Sequence, residues 1–422
     1  MDRKFKGAGR FAESAQRTRY FAGVSRNTVL LAFSSLFADI SSEMLYPILP
    51  IFLTQTLRAG GSVVGLVEGI AEATQNIVQG FSGWLSDKLQ RRKALALTGY
   101  LTAAVAKPLM GFAQSWPGLL GGRFLDRLGT GVRSAPRDAL IASSVSEENR
   151  GRAFGLEGIG DNLGAFLGPL LTVIFFFLFH FQIRSIFYLA IIPGLLAAFM
   201  ILLVRELPAT AAAKSATAKS KIDVSLRDFP KGYWKYLLVI ALFGVGNSSK
   251  SFLILQTKSI GASFAATVLI YAGFNLVAAL VSYPAGALSD KWGRRNILLL
   301  SFVIFFLAYL GFARARSVAL IAAWFMVYGS FQGIFRSVGK AFASDFVPEH
   351  LRASAVGWYS TTIGLESLVA SVAAGVLWDR VGHAAVFYYG AIFAIAGSLG
   401  LLTLNSGNRD RPARNGQKKD SI

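Results

Sequence analysis

GWLSDKLQRR at residues 83–92 and GALSDKWGRR at residues 286–295 are one phrase written twice, 203 positions apart in a chain of 422 residues. A second phrase keeps almost the same offset: Glu147-x-x-Arg150-x-x-Ala153-x-Gly155 returns as Glu349-x-x-Arg352-x-x-Ala355-x-Gly357. Two unrelated motifs sharing one offset imply a duplicated half. Each decapeptide lies between two long apolar runs, where a short basic loop belongs on the cytoplasmic face of a bilayer. The composition agrees: 53% hydrophobic, 16% charged, with a mean hydropathy of +0.49, against about 25% charged in soluble chains. A hydrocarbon core about 30 Å thick needs about 20 apolar residues per helix. Runs of that length recur along most of the chain. They are continuous rather than alternating, which argues against a transmembrane β-barrel.

Working outward from the repeats, twelve spans are expected near 28–55, 62–86, 94–114, 118–142, 153–177, 185–204, 234–257, 263–288, 296–312, 317–343, 353–377 and 383–404. They divide the chain into a basic arm (1–27), a first six-helix bundle (28–204), a polar linker (205–233), a second bundle (234–405) and a basic tail (406–422). The expected fold is all-α, two parallel six-helix repeats in one membrane. With both termini inside, 28 of the 43 Lys and Arg fall on the cytoplasmic side. Only Arg58, Arg184, Lys258, Arg314, Arg316 and Arg380 fall outside. The net charge of +20 therefore reads as topogenesis and attraction to anionic lipid rather than nucleic-acid binding. The N-terminus lacks the short apolar core of a cleavable signal. No Cys is present, so disulfides, thiolate metal sites and Cys nucleophiles are excluded. His180, His350 and His383 are not paired as metal ligands, and no metal or cofactor is expected.

The decapeptides resemble the cytoplasmic loop signature of the major facilitator superfamily: Gly, three residues, Asp, a basic residue, one residue, Gly, two basic residues. The second copy matches throughout, at Gly286, Asp290, Lys291, Gly293, Arg294 and Arg295. The first has Gly83, Asp87, Arg91 and Arg92, with Gln90 where Gly is usual. The resemblance implies a twelve-helix bacterial permease in which these loops latch one access state. Read from the residues alone, an Asp at one helix end can bond the N–H groups of a neighbouring helix start. The alternative is that the charges only set topology. In the fourth span, Arg127 four residues before Gly131 resembles an element of drug/proton antiporter-like members. In the fifth, Gly160-x-x-x-Gly164-x-x-x-Gly168-Pro169 is similar to the antiporters' glycine-proline motif. Read physically, the same small residues simply let helices pack closely. SSEMLYPILP and RSAPRDALIA resemble stretches of uncharacterised bacterial permeases of the superfamily, which the resemblance expects to carry a carboxylate where this chain has Lys250.

A charge at mid-bilayer costs about 2.5–3.5 kcal/mol even on lenient scales, so intramembrane charges should face a wet cavity or a partner. Several fall at i, i+4, which puts each pair on one helix face: Asp39 with Glu43, Glu68 with Glu72, Glu157 with Asp161, Arg123 with Arg127, Arg133 with Arg137, and Arg336 with Lys340. The first bundle offers carboxylates and the second mostly cations. A carboxylate in a low-dielectric crevice can exchange a proton near neutral pH. Asp39, Glu43 and Asp161 are the proton-coupling candidates, or else partners of an Arg on the fourth span. Arg127 either binds substrate or holds Asp39. Lys250 is expected to meet an anionic substrate or Glu366. Tyr271, Asn275 and Arg336 complete the substrate-binding candidates, Tyr271 and Asn275 having interhelical bonding as their alternative and Arg336, with Lys340, an inner gate.

These features predict a monomeric secondary transporter in a bacterial inner membrane. It would move a small organic anion, zwitterion or amphipath by alternating access, with proton coupling and a lean toward efflux. The alternative is an importer or facilitator of an organic anion or siderophore-type chelate without proton coupling. No GxxxxGK[ST] element is present for a nucleotide-driven pump, and no nucleophile–base set supports an enzyme; a non-transporting sensor stays open.

Overall fold

The computed structural model describes residues 25–89, 91–146, 149–206, 228–348 and 351–404. The basic arm before residue 25, linker residues 207–227 and the 406–422 tail lie outside the described residues. Within them the helices form twelve rods. These are α1 (Arg26–Glu43, continued by Leu49–Ile51 and a π turn at Phe52–Thr56), α2 (Gly61–Leu89), α3 (Arg92–Phe112), α4 (Trp116–Ser143), α5 (Arg150–Phe177), α6 (Ile183–Leu189 with Ile191–Leu203), α7 (Lys231–Gly244 with Ser251–Ser259), α8 (Phe264–Trp292), α9 (Arg294–Arg314), α10 (Val318–Asp345), α11 (Arg352–Arg380) and α12 (His383–Leu402). Eight of them, α3, α5, α6 and α8–α12, are each long and apolar enough to cross a bilayer unaided. The other four fall short for a physical reason: α1 and α7 are broken, and α2 and α4 carry buried charges such as Glu68, Arg123 and Asp126.

The breaks correct the two spans expected to run unbroken at 28–55 and 234–257. The α1 helix opens at Met44–Ile48 and α7 at Val245–Lys250, the same place in each half. Pro47 lacks an N–H and its ring collides with the carbonyl four residues back, so the helix stops at Glu43. In α7, Gly244 and Gly246 lower the cost of leaving the helical conformation.

Packing repeats as the sequence does. In the first half α1 packs on α5 and α6, α3 on α4 and α6, and α2 on α4. In the second, α7 packs on α11 and α12, α9 on α10 and α12, and α8 on α10. Gly160, Gly164 and Gly168 lie against the α1 backbone, at the carbonyls of Ala32, Leu36 and Ile40, where any side chain would collide. The second bundle is glued by aromatic rings, with Phe243 stacked on Phe302 at 3.9 Å and Phe305 on Tyr309 at 3.9 Å.

The two bundles meet along α2–α11 and α5–α8. Among the described residues, the close contacts between them lie in the middle and at the end away from the basic loops. There Gly61, Gly65 and Gly69 of α2 press on Trp378, Ser371 and Leu368 of α11, and Phe176 of α5 packs on Phe264 at 4.3 Å. Ile48, Leu49, Phe52, Phe252 and Leu255 share one apolar cluster at that end. Toward the basic loops, Gly80, Gly155, Gly158, Gly286 and Gly357 have open space where a side chain would project. The bundles are thus clasped at one end and splayed at the other.

Polar contacts also join the clasped end, chiefly through Asp379. Gly60 precedes α2, so no side chain of its own can cap that helix start. Asp379, near the C-terminal end of α11, does so from the other bundle. It accepts from the N–H of Gly61 at 2.7 Å, the N–H of Ser62 at 2.8 Å and the Ser62 hydroxyl at 2.6 Å.

Candidate functional site

A cavity of about 310 Å³ lies between the bundles at the level of the two helix breaks. Its first-bundle wall holds Glu43, Tyr46, Glu68, Glu72, Gln75 and Arg127. Its second-bundle wall holds Asn247 to Lys250, Tyr328, Gln332, Arg336, Lys340 and Tyr359. The breaks supply both the room and the polar groups. Leaving the helix frees backbone around Asn247 and Ser249, and the Tyr46 hydroxyl meets Ser249 Oγ across the gap at 3.4 Å.

The carboxylates of the first wall are not equivalent. Glu68 is sealed into a buried network: Arg123 reaches it at 3.1 Å and Asp126 at 3.2 Å, while Lys107 joins Asp126 at 3.3 Å. Arg127 belongs to the same network, with Nε 3.3 Å from Asp126 and Nη1 donating to Gln75 at 2.8 Å. This corrects the expectation that Arg127 holds Asp39. Asp126 is one residue away and buried, and captures it first, although Arg127 still lines the cavity. Glu72, half-buried in the cavity wall, has no hydrogen bond or ion pair to its side chain among the described residues.

Glu43 reaches across the bundles. It accepts from Tyr271 at 2.9 Å and from Asn275 at 3.3 Å, and Asn275 also donates to the Ala165 carbonyl of α5 at 2.9 Å. Tyr271 and Asn275 therefore tie α8 to α1 and α5 and are not part of the cavity lining, a correction to their expected role. Asp39 also lies off the cavity. It sits on α1 facing Asp161 of α5, and Arg133 is the cation that acts on its charge. Arg133 covers the Tyr100 ring at 4.4 Å. Arg137 holds Glu157 at 2.9 Å.

The second wall is cationic. Lys250 sits at the end of the α7 break, its Nζ 4.7 Å from the Tyr46 ring centre, 5.5 Å from Phe274 and 5.9 Å from Tyr271. Arg336 and Lys340 stand one turn apart on α10, exposed in the mouth that opens toward the basic loops. None of these three makes an ion pair among the described residues. Glu366 does not serve Lys250. It points from α11 into the notch beside Gly244 and is 5% exposed. The expected Lys250–Glu366 pair is absent because the two lie on different faces of the wall.

At the loops, Gly83 faces Ala135 of its own bundle. Arg91 and Arg92 lie at the start of α3, while the side chain of Asp87 and all of Gln90 lie outside the description. In the second copy Arg294 bonds Asp345 at 2.9 Å, and Arg295 Nε donates to Leu401 O at 3.0 Å, closing the end of α12. Asp290 is largely exposed, with only Arg294 nearby at 3.5 Å.

Tyr46, Tyr328 and Gln332 of the wall, and the Asp379 clasp, were not singled out from sequence, and Glu72 was paired with Glu68 but not named as a site residue. Glu72 had a usable signal, its i, i+4 relation to Glu68. The clasp had little, because its partners are backbone N–H groups.

The sequence model of the Major Facilitator Superfamily matches residues 31–257 and again 237–422. The chain belongs to that superfamily. It is 34% identical over 386 residues to the MFS-type transporter MJ1317 of Methanocaldococcus jannaschii, covering 90% of this chain and 95% of that one. It is 29% identical over 273 residues to the multidrug resistance protein MdtG of Klebsiella pneumoniae, covering 62% and 65%. The fold is shared with the nucleoside transporter NupG, at a TM-score of 0.75 with 15% identity over 90% of this chain and 100% of that one. This MFS protein is a multi-pass membrane transporter, and its cavity is where a small molecule would bind.

Proposed function

We propose that this transporter exports a small organic anion or zwitterion from the bacterial cytoplasm in exchange for protons, as a monomer in the inner membrane with both termini cytoplasmic. The observation that carries the reading is the cation-rich second wall. Lys250, Arg336 and Lys340 line the cavity with no ion pair among the described residues, Glu43 and Glu72 acting on Lys250 only across a gap, and an unpaired cation within the membrane calls for an anionic partner. Glu72, free on the opposite wall, suits the cationic end of a zwitterion.

With the basic loops inside, the splayed end faces the cytoplasm and the cavity is open to collect solute there. Proton coupling rests on Glu43. Protonating it removes the charge that Tyr271 and Asn275 bond, and a neutral acceptor holds them less strongly. That loosens a contact between bundles where rocking would break it. The facing carboxylates of Asp39 and Asp161 offer a second place, because two like charges in contact are costly. Export draws support from the close α1–α5 packing at Gly160, Gly164 and Gly168 and from the relation to MdtG.

The test uses proteoliposomes with an imposed pH gradient and an organic anion chosen by thermal-shift screening. Transport should follow the gradient and stop when it is collapsed. Flux that ignores the gradient removes proton coupling and leaves a facilitator, the reading in which Glu43 is only a structural tie. Glu43→Gln should abolish gradient-driven transport while leaving counterflow exchange.

A further inference from the structure

We infer that Glu366 is a proton-binding site of this transporter, loaded in the state described and emptied when α7 bends at its break. The inference rests on the proton-coupled reading above and adds to it a further proton-binding residue outside the cavity lining.

Glu366 is 5% exposed. Its carboxyl accepts no hydrogen bond and makes no ion pair among the described residues, and Oε2 is fully enclosed. Every other carboxylate this deeply buried among the described residues has a basic or hydroxyl partner: Glu68 has Arg123, Asp126 has Lys107 and Arg123, and Glu157 has Arg137 and Ser35. An ionised carboxylate left alone in a low-dielectric site is not sustained, and the group stays neutral instead.

The surroundings fit a neutral acid. From α7, the side facing it is the bare backbone of Gly244, where even a methyl group would overlap the carboxyl. The titratable groups nearest are phenols, Tyr236 on α7 and Tyr359 on its own helix α11. The Tyr236 hydroxyl donates away from it, to Gly339 O at 2.9 Å. No Lys, Arg or His among the described residues of α2, α7, α10 or α12 acts on its charge.

The site also has a route and a lever. Tyr359 lies two turns along the same face of α11 and lines the cavity, its hydroxyl beside Gly339 of α10. Gly244 is the last residue before the α7 break. Any change of bend at Val245–Lys250 therefore moves the wall of the Glu366 notch. Loading closes on O–H bond formation at the carboxylate, with the proton taken from cavity water. Release reverses it when the notch opens.

The test reads protonation and conformation separately, in the full-length protein. The natural chain has no Cys, so Gly80→Cys and Gly357→Cys, in open space on α2 and α11, accept spin labels cleanly. Infrared spectra at neutral pH should show the C=O stretch of a protonated carboxylic acid, lost in Glu366→Gln. The label-to-label distance distribution should shift with pH in the parent and lose that shift in Glu366→Gln. Should Glu366→Gln misfold, Gly244→Ala, which expels the carboxyl while keeping it, should remove the same band. A carboxylic-acid band of unchanged intensity in Glu366→Gln overturns the assignment, as does a pH-dependent shift of unchanged size. A parent whose bundles do not respond to pH at all overturns the coupled reading itself, whatever the infrared band shows.

Discussion

Arg123 is a buried cation and Lys250 a half-buried one, and the structure assigns them opposite duties. Arg123 is bonded to Glu68 and Asp126, so removing it strands two carboxylates. Arg123→Ala should cost about 3–5 kcal/mol and should appear as loss of folded protein or a large fall in Tm in detergent. Lys250 has its Nζ among the rings of Tyr46, Phe274 and Tyr271 and makes no ion pair among the described residues. Lys250→Met removes an unpaired charge and should leave Tm unchanged or raised. It should weaken anionic ligands by about 10- to 100-fold, the worth of a charge-assisted hydrogen bond of roughly 1.5–3 kcal/mol, and leave neutral ones alone. A fall in Tm with equal loss for neutral ligands would mark Lys250 as structural. Much of this was legible at the level of which charges share a helix face, because i, i+4 spacing fixes that without the fold. Which charge meets which was not. Arg127 had Asp126 as a neighbour in sequence and Asp39 as an imagined partner across helices, and only the crossing of α2, α3 and α4 decides between them. Glu366 shows the same limit: nothing local says that it turns to Gly244 rather than to Lys250.

The helices themselves were easier to read, since a run of apolar residues near 20 long has few other uses in this composition. Where the reading missed, the breaks in α1 and α7, the signals were present as Pro47 and as Gly244 with Gly246. Hydropathy averages over such residues, and a proline inside an apolar run is often tolerated in membranes, as Pro136 and Pro169 are here within α4 and α5. The glycine ridge of α5 separates packing from exposure within a single helix. Gly164 lies against Leu36 O and the Asp39 side chain, whereas Gly158, less than two turns away, faces open space. Gly164→Val should push α5 from α1 and cost about 1–3 kcal/mol, the usual range for overpacking. Gly158→Val should be close to neutral. Thermal unfolding of the two variants side by side checks this, and equal losses would mean that α5 tolerates no β-branching anywhere along its length.

The duplicated loops predict two bundles that rock, and the structure shows them holding one pose. What stabilises that pose is a helix start capped from the other half. Asp379 brings three short hydrogen bonds and a negative charge to the N-terminus of α2, where the aligned peptide dipoles favour an anion. The contact exists only while the end away from the basic loops is shut. Asp290, by contrast, is exposed and engages no helix start in this pose, as expected of a latch that works when the basic end closes. The two carboxylates should therefore pull the same equilibrium in opposite directions. Asp379→Asn removes the charge and should shift the balance by about 10- to 100-fold, for a loss of roughly 1.5–3 kcal/mol, toward the form closed at the basic end. Asp290→Asn should favour the form seen here, and Asp87→Asn, its counterpart in the first copy, should do the same. Spin labels at Gly80→Cys and Gly357→Cys report the direction: the distance should shorten in the first variant and lengthen or hold in the other two. Because each change acts on exchange between poses, turnover should fall more than ligand affinity in all three. Identical distance distributions across the set would mean that apolar packing alone, through Phe52, Phe252 and their neighbours, keeps the bundles clasped.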